Sequence, residues 1–418
     1  MGTCYLRKGE NMDKCTIKDT FLSFMAETMD NFVGFDSLER LIELFEDVPD
    51  PRRPGGNIRH KLVDLLVIIL LGVISSCETW IEIEDYAHAK YEWLKTFLDL
   101  PGGVPSNDTY RRLMERLRPD KLEEAYRQWV LPYVGGCVGK HIAVDGKTIC
   151  AASNNRLNQE DTAEGKLHII SAWVREDGIT LGQSKTDEKS NEITAIPKML
   201  DTLDIKGSTV TIDAMGCQAD IAEKIIEREA NYVLALKKNQ PSLYESVEEY
   251  FKWARTEPIE KKQLKEYSYE EHEHGRHTHR KVEVCNDVSW IETVREWKQL
   301  TSIICVTRKS EREGRQTEET AYYISSREWE AEEAAKCIQG HWTIENNLHW
   351  SLDTSFHEDE SQIYKGYSQE NLSVIRKIGQ KLLKAETTFK GGSIRRKAKR
   401  VAMLNDYAEK ILMLGDQL

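Results

Sequence analysis

The stretch Ile142-Ala143-Val144-Asp145-Gly146-Lys147 places a carboxylate directly after a short apolar run. An apolar run bounded by polar residues and glycine predicts a buried strand over 142–145. A carboxylate at the end of a buried strand is costly to desolvate unless a cation or a hydrogen-bond donor compensates it. The stretch therefore predicts a strand that ends in an acid with a chemical role.

Strands and helices follow this stretch in a regular order. Two further strands are predicted at 167–174 and 179–185, with Glu176-Asp177-Gly178 as the hairpin turn between them. The chain then passes through a helix, a strand, a helix and a strand, predicted at 195–203, 209–213, 220–229 and 232–236. Three antiparallel strands followed by alternating helices and strands is the order of a ribonuclease H-like mixed sheet, so the predicted fold class is α/β.

Two more acids occupy comparable positions. Asp213 ends the strand predicted at 209–213, and Glu345 lies in a helical segment at 341–350. Each acid alone has an ordinary explanation, because Asp145 could sit in a turn, Asp213 could cap a helix and Glu345 could face solvent. Together, two acids on strands and one on a helix predict a shared divalent metal site. The simplest function for such a site is cleavage and joining of nucleic acid.

A polar insertion separates the last predicted core strand from Glu345. It contains a predicted helix near 243–253 and four predicted strands, near 263–271, 277–285, 300–307 and 319–324. Its length is tolerable because the cost of loop closure grows only logarithmically. The histidine-rich run 272–279 is suggestive of zinc, but a hairpin there would alternate these side chains between two faces. We therefore interpret the run as a polar hairpin.

Length and cysteine usage predict a cytoplasmic protein of more than one domain. At 418 residues the chain exceeds the size at which a single core keeps growing. Its nine cysteines include no C-x-x-C spacing, which indicates neither a zinc framework nor a disulfide framework. The first twenty residues lack the apolar core of a signal peptide. The apolar run 65–74 is about half of what a bilayer requires, so we predict a buried helix and no membrane partner.

The net charge of −12 argues against a simple nucleic-acid binder, but the charge is unevenly distributed. Residues 376–400 contain ten basic side chains, with Glu386 as the single acid. This segment, including Arg395, Arg396 and Lys397, predicts a stripe that binds the DNA backbone. The alternative is a solvated helix and tail.

Residues 36–135 are predicted to be helical, with a first helix from about 37 that ends before Pro49. Ser106-Asn107-Asp108-Thr109 offers capping residues for a short helix. That helix carries Arg111, Arg112 and Arg116, while Leu113 and Leu117 would hold it to its domain. It could enter a DNA groove as a recognition helix, or it could be an ordinary surface helix.

Several spaced motifs resemble one known family. They are Val144-Asp145-Gly146-Lys147, Thr211-Ile212-Asp213-Ala214, Leu236-Lys237-Lys238-Asn239-Gln240-Pro241, His341-Trp342-Thr343-Ile344-Glu345-Asn346, Leu348-His349-Trp350-Ser351-Leu352-Asp353 and Phe356-His357-Glu358-Asp359. Asp50-Pro51-Arg52-Arg53, Arg59-His60, Gly103-Val104-Pro105-Ser106 and Thr109-Tyr110-Arg111-Arg112 add an N-terminal match. Together, over about residues 35–385, they resemble the H-repeat-associated (ISAs-type) bacterial transposases, which are DDE transposases with a ribonuclease H-like core.

The resemblance implies a site, a cofactor and partners. Asp145, Asp213 and Glu345 would be the catalytic residues and would hold two Mg²⁺ ions, with Mn²⁺ as a substitute. Double-stranded DNA with terminal inverted repeats and a target DNA would be the partners, and a homodimer or higher oligomer would form at synapsis. Lys147 and Lys238 are candidate DNA contacts. The protein would be bacterial, cytoplasmic, and associated with the nucleoid when bound to DNA.

The residues around Glu345 depart from the broader superfamily. The tyrosine, arginine and lysine often found there fall on Ile338, His341 and Leu352, so their roles do not transfer. His341 and His349 lie four residues either side of Glu345, which predicts contact with its carboxylate or with DNA, or simple packing. Trp342 and Trp350 could stack on an extruded base, but we predict that they pack in the core.

The predicted domains follow from these segments. They are an extension at 1–35, a helical DNA-end recognition domain at 36–135, a catalytic core at 137–238 and 328–385, a β-rich insertion at 239–327 and a basic segment at 386–418. Two other functions remain open. One is a metal-dependent nuclease of the same fold, and the other is an inactive DNA-binding protein derived from a transposase.

Overall fold

The computed structural model describes residues 36–53, 58–150, 166–186, 192–257, 264–273, 276–312 and 315–413. The extension predicted at 1–35 lies outside them. The chain divides into two compact units. The helical unit holds the described residues of Met1–Glu46, Arg52–Arg111 and Leu382–Leu418, and the sheet unit holds those of Asp47–Pro51 and Arg112–Lys381. The domain limits predicted from the sequence stay a proposal.

The described helices and strands are numbered in chain order. The helices are α1 (Asp36–Glu46), α2 (Leu62–Ile74), α3 (Trp80–Ala89), α4 (Tyr91–Leu94), α5 (Asn107–Arg116), α6 (Pro119–Val134), α7 (Glu192–Asp201), α8 (Ala219–Glu227), α9 (Pro241–Thr256), α10 (Ala331–His341), α11 (Trp350–Phe356), α12 (Ser368–Ala385), α13 (Ile394–Met403) and α14 (Asn405–Met413). The strands are β1 (His141–Cys150), β2 (Lys166–Val174), β3 (Ile179–Thr186), β4 (Thr209–Ile212), β5 (Asn231–Leu236), β6 (Leu264–Glu273), β7 (Arg276–Cys285), β8 (Ser302–Arg312) and β9 (Arg315–Ser325).

Helix α2 forms the core of the helical unit. All of its residues except Val63 are buried, and it contacts α1, α3 and α13. Helix α3 begins with a capping box, in which Thr79 accepts the Glu82 N–H while the Glu82 carboxylate accepts the Thr79 N–H. The predicted buried helix at 65–74 is confirmed. No helix among the described residues is long and apolar enough to cross a membrane.

A buried acid, Glu386, ties the C-terminal helices of this unit together. Its carboxylate accepts hydrogen bonds from the Thr388 hydroxyl, the Phe389 N–H, the Tyr407 hydroxyl and the Lys410 ammonium. Burial opposes ionisation of Glu386, but the bonds from Thr388, Lys410 and Phe389 outweigh it and lower the pKa to about 2. The ionised form of Glu386 therefore stabilises the folded state.

Glu386→Gln should destabilise the helical unit in a pH-dependent way. Since the folded pKa of about 2 lies below the ordinary glutamate pKa of 4.5, the stabilisation is present above pH 4.5 and is lost as pH falls toward 2. The expected loss at pH 7 is about 3 kcal/mol. Urea unfolding of both proteins at pH 7 and at pH 3 measures it, with Asp406→Asn, a change of an exposed acid on α14, as control. Equal stability of Glu386→Gln and the unchanged protein at pH 7 would refute the assignment.

The strands of the sheet unit form one nine-stranded sheet in the order β3-β2-β1-β4-β5-β9-β8-β7-β6. The strands β1, β2 and β3 are antiparallel neighbours, whereas β1, β4 and β5 run parallel. This is the predicted ribonuclease H-like arrangement, and it is confirmed. Helix α6 packs on β3, where the Tyr126 hydroxyl donates to the Thr180 carbonyl over 2.7 Å.

Strand β1 is longer than the sequence indicated. Asp145 was predicted at the end of a strand, and this is wrong, because β1 continues to Cys150. The parallel pairing with β4 ends at Val144↔Ile212, but β2 continues to pair with β1 as far as Cys150↔Lys166. Hydrogen bonds from this long-range partner extend the strand beyond its apolar run. Asp145 therefore lies in the part of β1 that still pairs with β2 but no longer pairs with β4.

The insertion extends the same sheet. Strand β9 pairs antiparallel with β5, from Val233↔Ser325 to Leu236↔Tyr322, and β8, β7 and β6 follow outward. The predicted helix and four strands are confirmed. His272 and His277 pair across the β6–β7 hairpin, with ring centroids 4.3 Å apart, as expected of a polar hairpin.

Helix α10 packs across the sheet and delivers the last acid. It contacts β1, β4, β6 and β7. Gly340 permits this approach, because a Cβ there would lie 2.7 Å from His141 Nδ1. After α10 the chain forms a π-helical turn over Ile344–His349, and α11 follows directly. Glu345 lies in this turn.

Candidate active site

The strand order brings two of the three predicted acids together. Val144 and Ile212 are paired neighbours in β1 and β4, so Asp145 and Asp213 are the next residues on two adjacent parallel strands. Burial raises the pKa of Asp145 to about 7, and the negative charges of Glu345, Asp213 and Glu192 contribute to the rise. The three acids therefore share one electrostatic environment.

The other two acids are held differently. Asp213 is half-buried, and one of its oxygens accepts the N–H groups of Met215 at 3.0 Å and Gly216 at 3.3 Å. Burial raises its pKa despite these bonds, and the nearby Lys237 opposes the rise. Glu345 is on the solvent side of the π-helical turn. Asp213 is thus fixed by the backbone, while the carboxylate of Glu345 faces solvent.

The donor set suits a divalent cation by its chemistry. No three His, Cys, Asp or Glu side chains of the described residues are arranged to hold one ion among themselves. Mg²⁺, however, is usually bound by only one or two protein carboxylates, with water and substrate phosphates completing the octahedron. The raised pKa of Asp145 reflects, besides burial, repulsion among carboxylates that a cation would offset. Asp145, Asp213 and Glu345 therefore supply oxygen donors of the chemical kind that such an ion takes.

The two histidines of the Glu345 segment contact the sheet. His349 Nδ1 lies 3.5 Å from Asp145 Oδ2. His341 Nδ1 bonds the Thr211 hydroxyl over 2.9 Å, and the His141 Nε2 bonds the same hydroxyl over 2.7 Å. His349 is buried against Asp145 while Glu345 is exposed, because a π-helical turn takes more residues per turn than an α-helix and moves side chains four residues apart out of phase. A DNA contact by either histidine stays a prediction.

Burial keeps both histidines neutral at pH 7. It lowers the pKa of His341 to about 4. It also lowers the pKa of His349 to about 3, with the positive charges of Lys147 and Lys377 adding to the effect. His349 therefore contacts the Asp145 carboxylate as an uncharged imidazole, which orients the acid without neutralising it.

Lys147 is engaged by three acids beside the site. Its ammonium pairs with Asp353, with Glu358 at 3.1 Å and with Asp359 at 3.6 Å, and its side chain is only 11% exposed. Lys147 is therefore a largely buried cation paired with acids, and Asp353 and Asp359 are two of its partners. A DNA phosphate contacting Lys147 would compete with these carboxylates, so that role stays a prediction.

The predicted basic stripe is interrupted by burial. Four of its ten basic residues are buried, namely Arg376, Lys377, Lys381 and Lys397. Lys397 donates to the carbonyls of Leu383 and Glu386, so it stabilises the fold of the helical unit. The exposed remainder on α13 consists of Arg395, Arg396 and Lys399. The prediction of a continuous basic stripe over 376–400 is therefore wrong, and a shorter exposed stripe remains on α13.

The remaining candidate DNA contacts lie on two elements. Arg112 and Arg116 are exposed on α5, while Arg111 is half-buried and pairs with Asp108 at 2.8 Å. Leu113 and Leu117 are buried as predicted. Lys238 is exposed after β5.

Trp342 and Trp350 flank Glu345 on the solvent side. They are 50% and 65% exposed, so the prediction of core packing is wrong. Ile344, Leu348 and Leu352 supply the buried face of this segment instead.

Sequence reasoning missed two groups around the site. Glu192 acts electrostatically on both Asp145 and Asp213, yet it was placed in a loop because the predicted helix began at 195. Lys377 is buried and donates to Ser171 Oγ and Gln183 Oε1, and burial lowers its pKa to about 8. No sequence motif identifies Glu192 or Lys377, because the residues that each one contacts or influences lie far away in the sequence.

Comparison with known proteins agrees with this arrangement. Residues 137–378 match the family described as "Transposase DDE domain", and residues 42–130 match that described as "DDE_Tnp_1-associated". The chain is 37% identical over 387 residues to "Putative transposase YncI" of Escherichia coli O157:H7, covering 91% of this chain and 96% of that protein. It is also 37% identical over 381 residues to "H repeat-associated putative transposase YhhI" of Escherichia coli strain K12, covering 90% and 98%. The chain therefore belongs to the DDE transposase family, among its H repeat-associated members.

Proposed function

We propose that this chain is an active transposase that cleaves DNA at the ends of an insertion sequence and joins those ends to a target. The observation that carries the proposal is the electrostatic coupling of Asp145 to Asp213 and Glu345, across two adjacent strands and one helical turn. Such a concentration of carboxylates destabilises the folded chain unless it serves a ligand. A divalent cation, Mg²⁺ or its substitute Mn²⁺, is the ligand that suits oxygen donors of this kind.

The three acids would hold two ions, which supply activation of a water or 3′-hydroxyl and stabilisation of the leaving oxygen. The chain's own residues hold the acids in place. His349, neutral and 3.5 Å from Asp145, restricts the rotation of that carboxylate. The backbone N–H groups of Met215 and Gly216 do the same for Asp213. Lys147 holds Asp353 and Glu358, which follow the π-helical turn, against β1. No covalent protein intermediate is needed.

DNA would approach the solvent side of the π-helical turn. The exposure of Trp342 and Trp350 supports stacking on unpaired bases beside the scissile bond. The exposed Arg112 and Arg116 support groove or phosphate contacts by α5, and Lys238 supports a phosphate contact near Asp213. Terminal inverted repeats are the proposed recognition sequence, and a homodimer or higher oligomer would pair the two ends.

Cleavage should depend on a divalent ion. The purified chain is expected to nick DNA carrying the ends of its element in Mg²⁺ or Mn²⁺ and to lose this activity in excess chelator. Readdition of Mg²⁺ should restore it. Cleavage that persists in chelator after dialysis would rule out the proposed mechanism.

The exposed part of the basic stripe should contribute non-specific DNA affinity. Changing Arg395, Arg396 and Lys399 together to Gln should weaken binding to all DNA sequences similarly. The slope of log affinity against log salt should decrease by about 0.9 for each phosphate that the variant no longer neutralises. Fluorescence anisotropy at several salt concentrations measures this, with the exposed lysines Lys206, Lys252 and Lys336 changed to Gln as a charge-matched control. An unchanged slope would remove α13 from the DNA-binding surface.

A further inference from the structure

A small buried cavity lies on the face of the sheet that carries Asp145. Side chains alternate along β1, so Asp145 and Lys147 share one face, and Ser171 joins them because it pairs directly with Asp145 across β1 and β2. The cavity leaves about 10 Å³ in which the centre of a water molecule can lie, which is room for about one water. Its polar lining includes Lys147, Ser171, His349, Glu358 and Lys377.

The imidazole of His349 connects this cavity to Asp145. Its Nδ1 lies 3.5 Å from Asp145 Oδ2, while its Nε2 is buried and has no hydrogen-bond partner among the described residues. The ring is neutral, so only one of its nitrogens carries a proton. A proton on Nδ1 gives an attractive contact with the carboxylate, whereas a lone pair there would repel it. Nε2 is then a buried acceptor that needs a donor.

Lys377 has a donor to spare beside the same cavity. Its ammonium carries three N–H groups, of which two donate to Ser171 Oγ at 3.0 Å and to Gln183 Oε1. The third has no partner in the part of the chain that the structure describes. Glu358 Oε1 accepts no hydrogen bond from the described residues either, and the Arg376 guanidinium is 3.6 Å from it. One surplus donor and two unsatisfied acceptors therefore belong to side chains that line or adjoin a space of one water.

We propose that one water in this cavity accepts a hydrogen bond from Lys377 and donates to His349 Nε2 and Glu358 Oε1, so that Lys377 holds His349 in the tautomer that positions Asp145. Three hydrogen bonds are the usual number for a buried water. Lys377 is a positioning residue, because it acts through the water and His349. Its contribution to cleavage rests on the proposed function, in which Asp145 binds the ion.

Nuclear magnetic resonance of the full-length chain with ¹⁵N-labelled histidine, at pH 7 without metal or DNA, tests the tautomer. His349→Gln assigns the His349 signals by their disappearance. In the unchanged protein we expect a proton on Nδ1 and none on Nε2. Lys377→Met keeps the length of the side chain and removes the donor, so it should give a mixture of both tautomers. Lys381→Met is the control, since Lys381 is a buried lysine one turn along α12 that does not line the cavity.

Three spectroscopic results would overturn the proposal. They are a proton on Nε2 in the unchanged protein, a ring protonated on both nitrogens, and a single unchanged tautomer in folded Lys377→Met. If Lys377→Met does not fold, a crystal structure of the unchanged protein decides. A water bonded to both Lys377 and His349 Nε2 supports the proposal, and a dry cavity or a direct bond between the two side chains overturns it.

A double-mutant cycle tests the consequence for cleavage. Lys377→Met should lower the single-turnover cleavage rate about 10-fold, and it should have little further effect in a His349→Phe background, because it acts through that ring. An equal loss in both backgrounds, as a purely structural role predicts, would overturn the positioning role. Cleavage at the unchanged rate by Asp145→Asn would instead overturn the proposed function, and the tautomer of His349 would be unaffected by that result.

Discussion

Asp145→Asn, Asp213→Asn and Glu345→Gln are each expected to reduce DNA strand cleavage about a thousandfold or more. Each substitution keeps the side-chain volume and removes one charged oxygen ligand. A thousandfold loss corresponds to about 4 kcal/mol of transition-state stabilisation, which is in the range expected for a ligand of a catalytic ion. Cleavage of end-labelled DNA under single-turnover conditions measures the effect directly.

These substitutions should leave the fold intact. Asp145 and Asp213 have raised pKa values through burial and neighbouring acids, so removing their charge relieves repulsion in the metal-free chain. Circular dichroism and melting temperature check this. Asp220→Asn on α8 is the matched control, since it makes the same change at an exposed acid in a helix that follows Asp213. Cleavage at the unchanged rate by any one of the three variants would remove that residue from the site.

Lys147→Met is expected to cost about 3–5 kcal/mol of stability in the sheet unit. The substitution keeps the length of the side chain but leaves Glu358, which is buried, and Asp353 without their main cation. Burial opposes the charge of Lys147, yet Glu358 and Asp353 outweigh it and raise its pKa, so the ammonium is firmly held. Urea unfolding at pH 7 measures the loss, with Lys238→Met as a control at an exposed lysine.

A second substitution separates charge from packing in this cluster. Adding Glu358→Gln to Lys147→Met removes the uncompensated buried carboxylate and should recover part of the lost stability. Lys147→Met with the stability of the unchanged protein, or a double variant less stable than the sum of its two single changes, would contradict the ion-pair account.

The order of strands in the core was predictable because each strand carries its own local signal. The apolar runs of β4 and β5 and the hairpin between β2 and β3 lie in the sequence where the structure has them. The length of β1 was not predictable, because its second half is extended by pairing with β2 and has no apolar run of its own. Long-range pairing overrides local pattern in such places.

The acids of the candidate site carry a local signal in the sequence, whereas their surroundings do not. Asp145, Asp213 and Glu345 stand out because acids follow buried elements, and that pattern is local. The π-helical turn has no simple sequence signature, so the sequence could not show that His349 lies against Asp145, and the predicted core packing of Trp350 is wrong. Lys397 looks like a surface cation in sequence, and only its bonds to two carbonyls of the helical unit explain its burial.

A strand-transfer assay tests the central claim most directly. The full-length chain would be incubated with Mg²⁺, a target plasmid and labelled DNA bearing the short inverted repeats expected to flank its coding sequence. We expect cleavage that leaves 3′-hydroxyl ends and covalent joining of those ends to the plasmid, with joining abolished when the ends carry a 3′-dideoxynucleotide. Cleavage without any joined product would identify a nuclease of the same fold, and binding without cleavage would identify an inactive DNA-binding relative. Either result would contradict the assignment of strand transfer to Asp145, Asp213 and Glu345.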